Sequence, residues 1–140
     1  RLMHACAPGM VARGRGAIVN VSSMAGRVPL KGCSFYGAAK AGLAMASEVA
    51  RAELAPHGVH VLTVYPGPVA SALERGARAQ YSRSLVARAI PTGCPTELAR
   101  RIVDALERRV ATIVYPTPYA AGRLPLAGRV ALALGPTPRE

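Results

Sequence analysis

Three residues in this 140-residue chain have the types and spacing for proton-transfer chemistry: Ser23, Tyr36 and Lys40. Tyr36 and Lys40 stand four apart, which on a helix stacks them on one face. A free tyrosine titrates at about 10, too high for effective proton exchange near neutrality, and an ammonium one turn away favours the phenolate. Ser23 lies 13 residues before Tyr36, where an apolar run ends. A hydroxyl there can hold a substrate oxygen and stabilise charge developing on it. Ser22, one residue earlier on a strand, points to the other face. Alone, the tyrosine reads as packing and the lysine as a solvated charge; the combination is what singles them out.

The elements that must position these residues are legible in the hydrophobic pattern. Residues 17–22, AIVNVS, are β-branched and almost wholly apolar, which predicts a parallel strand covered on both faces. Asn20 within it reads first as a hydrogen-bonded structural residue and second as a site residue. Upstream, residues 1–7 read as a helix end closed by Pro8 and Gly9, and MVARGRG as a turn-rich lead into the strand. Residues 24–34 form a loop with Gly26, Pro29 and Gly32, and Ser34 is placed to cap the helix that follows. That helix, FYGAAKAGLAMASEVARAELA, is stopped by Pro56 and Gly58. At about 100° per residue, Tyr36, Lys40, Leu43, Ser47 and Leu54 share one face, and Ala38, Ala41, Met45, Val49 and Ala52 an opposite apolar stripe. Glu48, Arg51 and Glu53 fall between. A helix apolar on two faces needs two partners, its own sheet and a neighbouring subunit.

A second interior strand, VHVLTVY over residues 59–65, breaks at Pro66, Gly67 and Pro68. Residues 70–90 are weakly helical and arginine-rich; a firmer helix starts at Thr96 and Glu97, with Leu98, Ile102, Val103 and Leu106 as its buried stripe. ATIVY at 111–115 is the third strand. The order strand, helix, strand, helix, helix, strand predicts an α/β fold with a parallel sheet and right-handed crossovers.

Composition bounds the function. The net charge is +11, and arginine supplies 16 of the 18 basic residues, scattered without a basic-aromatic motif. That is a solvated surface favourable to an anionic cofactor and gives no nucleic-acid signature. The odd cysteines Cys6, Cys33 and Cys94 fit reduced thiols of a cytoplasmic protein and no zinc spacing, and His4, His57 and His60 show no metal-ligand pattern. No apolar run reaches the ~18 residues of a spanning helix. The tail at 116–140 is apolar, but its glycines and poor amphipathicity favour a packed or frayed C-terminal segment over an interfacial membrane contact.

NVSS with its serine 13 residues before YGAAK, then VYPGPVASAL after the next strand, resembles the short-chain dehydrogenase/reductase family from about residue 16 to residue 115. The resemblance implies the second half of a Rossmann-like, doubly wound parallel sheet, with residues 1–115 the catalytic half of an NAD(P)-binding domain. It implies hydride transfer between an alcohol or carbonyl and NAD or NADP. Tyr36 is then the acid/base, Ser23 orients the substrate, and Lys40 both tunes Tyr36 and bonds the nicotinamide ribose. Pro66 and Gly67 pass the nicotinamide, the Val69 backbone contacts its carboxamide, and Ser71 stands where the family usually has threonine in reach of the cofactor. These points lie at the carboxyl ends of strands, where open α/β sheets bind ligands. The helix over residues 35–55 is expected to pair subunits in a homodimer or homotetramer.

The family's TGxxxGxG turn, its NNAG strand and its tetrad asparagine are absent from this sequence. GRGAIVN is no substitute, because its glycines precede a strand, whereas a phosphate-binding turn follows one and opens a helix. With Arg1 opening on a helix already under way, the expectation is a fragment that binds no NAD(P)H by itself and tends to aggregate through the unpaired edge of its first strand. The alternative to an enzyme is then a catalytically incompetent chain acting as an interaction module through its apolar helix face. The residues expected to line a substrate, 24–33 and 70–92, are apolar with arginines and name no substrate.

Overall fold

The computed structural model describes residues 1–80, 91–123 and 133 of the chain. Three parallel strands stand in the order β1 (Gly16–Val21), β2 (Val59–Pro66), β3 (Thr112–Tyr115). Ile18 lies opposite Val61 and Val21 opposite Val64; on the other side Val64 lies opposite Ile113. The helices are α1 (Leu2–Ala12), α2 (Ser34–Leu54), α3 (Ala72–Gln80) and α4 (Pro95–Glu107).

β2 is the centre of the fold: it pairs with both β1 and β3 and is covered on both faces. Every residue from Val59 to Tyr65 is buried, and Val61, Leu62, Thr63 and Val64 are fully so. On one face Tyr65 packs with Met24 and with Ala44 of α2; on the other, Leu62 and Val64 pack with Ala105 of α4, joined by Val19, Leu98, Ile102 and Ile113. Each fully buried Leu or Val contributes about 1.5–3 kcal/mol relative to an exposed one.

Several expectations need correction. β1 is not covered on both faces: it is an outer strand, with Ala17 exposed and Val21 47% exposed. The first helix does not end at Pro8 and Gly9 but runs through both to Ala12. Proline leaves the carbonyl four residues earlier without its helical partner; His4 and Pro8 are both exposed, so water can serve that carbonyl. Ser34 is the first residue of α2 and no cap: Cys33 holds the cap position without a side-chain bond, and its carbonyl accepts from Gly37 N at 2.6 Å. Val103 leaves the buried stripe of α4 and is 54% exposed, its place on the sheet taken by Ala105. Residues 81–90 of the weakly helical region and nearly all of the tail beyond Arg123 lie outside the described residues. Among the described residues no helix is long and apolar enough to cross a membrane.

Candidate active site

The site is assembled where the C-terminal end of β1 meets the start of α2. Ser22 continues β1 against β2, its N–H donating to Val64 O at 2.8 Å, and its buried hydroxyl donates to the Lys40 carbonyl at 2.8 Å. Ser23 turns the other way, as the alternation of a strand requires. It caps the 3-10 turn Met24–Gly26, its Oγ accepting from Ala25 N at 3.2 Å and its carbonyl accepting from Gly26 N at 3.0 Å.

Two glycines let this turn lie on the helix. A methyl group added to Gly26 would stand 2.7 Å from the Lys40 carbonyl carbon and 2.8 Å from Ala41 N. One added to Gly37 would stand 2.9 Å from the Ala25 carbonyl oxygen. The backbone of the Ser23 turn therefore rests on the turn of α2 that carries Tyr36 and Lys40. Neither contact is visible in the sequence; the available signal was the small residue inside each of the motifs SSMAG and YGAAK.

Tyr36 is 46% exposed, so its ring is open to a ligand. The Lys40 ammonium lies 5.8 Å from the centre of that ring and donates to the Val21 carbonyl at 2.9 Å. An ammonium carries three donors, so the anchoring bond to Val21 leaves capacity for a further acceptor. Val21 joins the candidate site in a way that spacing did not reveal, since its part is played by a backbone oxygen. Asn20 has a structural place: its amide donates to Ser47 Oγ and to Met3 Sδ, each at 2.9 Å, and Ser47 in turn donates to Leu43 O at 2.6 Å.

The second wall follows β2. Gly67 N donates to Tyr115 O at 2.7 Å, holding the turn that Pro66 begins beside β3. Val69 forms a bridge with Gly93, reinforced by Gly93 N to Pro68 O at 2.8 Å and Ala70 N to Gly93 O at 3.0 Å. Ser71 is exposed and its Oγ accepts from Glu74 N at 3.1 Å, so this hydroxyl caps α3. Arg27 lies over the Tyr65 ring at 3.9 Å, tying the loop after Ser23 to the end of β2. Thus Ser23, Tyr36 and Lys40 share one end of the β1–α2 unit, and Pro66, Gly67 and Val69 occupy the same carboxyl end of the adjacent strand.

The sequence profile described as short chain dehydrogenase matches residues 1–82. The chain belongs to that family of oxidoreductases. It is 48% identical over 58 residues to estradiol 17-beta-dehydrogenase 2 of Mus musculus, covering 41% of this chain and 15% of that protein. It is 32% identical over 107 residues to the ketoacyl reductase HetN of a Nostoc species, covering 76% of this chain and 36% of the other. Among solved structures, a short chain dehydrogenase from Burkholderia cenocepacia in complex with NADP superposes with a TM-score of 0.75 at 32% identity, over 97% of this chain and 53% of that one. The chain thus spans about half the length of that solved relative and less of the curated ones, and it shares a Rossmann-like parallel sheet with the solved structure.

Proposed function

We propose that these residues form the catalytic side of an NAD(P)-dependent oxidoreductase that interconverts an alcohol and a carbonyl. The observation that carries this reading is the Lys40 ammonium 5.8 Å from the Tyr36 ring, on a helix against which the Ser23 turn is packed. The donor set fits a nicotinamide cofactor: an anchored ammonium with donors to spare, an exposed phenol, and a backbone turn at a strand's carboxyl end. Lys40 would hold the nicotinamide ribose, with Tyr36 beside it; Pro66, Gly67, Val69 and Ser71 would line the nicotinamide.

A reduced nicotinamide held there would supply the hydride for the carbonyl carbon. Ser23 donates a hydrogen bond to the carbonyl oxygen and stabilises the charge that grows on it. Tyr36 gives its phenolic proton to that oxygen as the new C–H bond forms, leaving an alcohol. The positive charge of Lys40 steadies the phenolate that remains until solvent restores the proton. In the oxidative direction Tyr36 takes the proton back. Transfer of deuterium from nicotinamide C4 to the product carbon, followed by mass spectrometry in the full polypeptide containing these residues, tests this. A product labelled elsewhere, or none with any carbonyl acceptor, refutes it.

The second stripe of α2 supports a homodimer or homotetramer through residues 35–55. Ala38, Ala41 and Ala52 are exposed, with Met45 at 67% and Val49 at 48%, and side chains this small allow close approach of a second helix. Val49→Glu is expected to lower the sedimentation mass; an unchanged mass contradicts the interface.

A further inference from the structure

Tyr119 lies in the 3-10 turn Thr117–Arg123 after β3, remote in sequence from the residues above and outside every motif. Its ring packs on the cluster of Met24, Ala44 and Tyr65. A methyl group added to Gly67 would stand 3.0–3.1 Å from carbons of that ring, so the ring rests on the backbone of the Pro66–Gly67 turn. Its hydroxyl donates to the Pro91 carbonyl at 3.1 Å. Burial pushes this phenol up to about 12, which keeps it protonated and donating through the physiological range. One side chain therefore joins the cluster that holds Met24, the backbone of the turn after β2, and the Pro91 carbonyl. The backbone marks the same closure through the Val69–Gly93 bridge.

We propose that Tyr119 is a positioning residue, whose ring sets the Pro66–Gly67 turn against the Ser23 turn and whose hydroxyl tethers Pro91 beside them. Its two parts have separate duties. The ring holds the turn proposed to face the nicotinamide, and the hydroxyl holds Pro91 beside it. The catalytic part of this inference rests on the oxidoreductase reading; the mechanical part does not.

The test compares Tyr119→Phe and Tyr119→Leu in the full polypeptide, with amide hydrogen exchange and steady-state kinetics with NADP(H) side by side. Losing one hydrogen bond changes a local equilibrium by about two- to tenfold. Tyr119→Phe is expected to speed exchange at Ala70 and Gly93 by that factor, to leave the central β2 amides of Val61 and Val64 unchanged, and to keep the KM for the cofactor. Tyr119→Leu removes the ring and is expected to raise that KM by a similar factor, with a smaller change in kcat. Unchanged exchange at Ala70 and Gly93 in the Phe variant overturns the tether, and an unchanged cofactor KM in the Leu variant overturns the positioning role. If the Leu variant does not fold, Tyr119→Met takes its place in the KM comparison, and an unchanged cofactor KM there overturns the positioning role. Absence of all cofactor-dependent turnover in the unsubstituted protein refutes the oxidoreductase reading, and the exchange result still decides the tether.

Discussion

Replacing Gly26 by alanine probes the contact that brings Ser23 to Tyr36 and Lys40. The added methyl would meet Lys40 C at 2.7 Å, Ala41 N at 2.8 Å and Lys40 O at 2.9 Å. Ordinary carbon contacts lie at about 3.5–4.0 Å, so the Ser23 turn and α2 must part by roughly 1 Å. The obstacle is helix backbone, which cannot swing aside as a flexible side chain would. Overpacking of this kind costs about 1–3 kcal/mol, and a rigid obstacle places Gly26→Ala at the upper end. A 1 Å misplacement of reacting groups costs on the order of 10²-fold in rate, so kcat should fall by about that factor even where the protein stays folded. Two controls calibrate the result. Gly42 has nothing within 4 Å of a built methyl, so Gly42→Ala should stabilise α2 by about 1 kcal/mol. Gly37→Ala gains the same helix propensity but meets Ala25 O at 2.9 Å, so its net effect should fall between the two. Urea denaturation and steady-state turnover of the three variants provide the comparison. A Gly26→Ala protein as stable and as active as the parent would refute the idea that this close approach sets the site.

Ser47 is fully buried and both accepts from Asn20 and donates to Leu43 O. Ser47→Ala leaves the Asn20 amide short of one acceptor and should cost about 1–3 kcal/mol, measured by denaturation; a neutral result would show that Asn20 finds another partner. The pH dependence of α4 follows from Glu97, whose carboxyl is held down to about 2 by hydrogen bonds from Arg100 and then Arg101. A depressed carboxylate stabilises the fold above its unfolded value of 4.5, and that contribution is lost as pH falls from 4.5 towards 2. Protection from exchange at the start of α4, taken relative to the intrinsic rate at each pH, should fall over that window, and Glu97→Gln should remove the dependence. A Glu97→Gln variant with the same acid profile would contradict the assignment.

The proposed triplet of Ser23, Tyr36 and Lys40 could be picked out before the structure because its spacing uses the two elementary periods of the backbone. Four residues on a helix bring Tyr36 and Lys40 to one face, and a serine pair at a strand end separates Ser22 from Ser23. β2 was legible for a similar reason: seven residues with no exposed position leave a β-branched, mostly apolar run with only His60 and Thr63 polar. What pattern could not show depends on contacts between distant segments. Gly26 and Gly37 matter through the backbone opposite them, Val21 through its carbonyl, and Tyr119 through a turn about fifty residues earlier. Local signals misled where solvent or neighbours decide. Pro8 is tolerated because the helix face around it is exposed, and Val103 leaves the core because Ala105 fits closer to the sheet. Ser34 had the right chemistry for a cap but stands one residue too late.

The central claim is that Tyr36 exchanges the substrate proton while Lys40 and Ser23 prepare its surroundings. It is tested most directly by kcat for Tyr36→Phe in the full polypeptide, with the dissociation constants for NAD(H) and NADP(H) measured on the same preparation. The phenyl ring keeps its place on α2 and only the proton carrier is lost. The account predicts that kcat falls by about 10²–10⁴-fold, the range for a positioned general acid, with cofactor affinity essentially kept. Turnover retained at the parent level would contradict it.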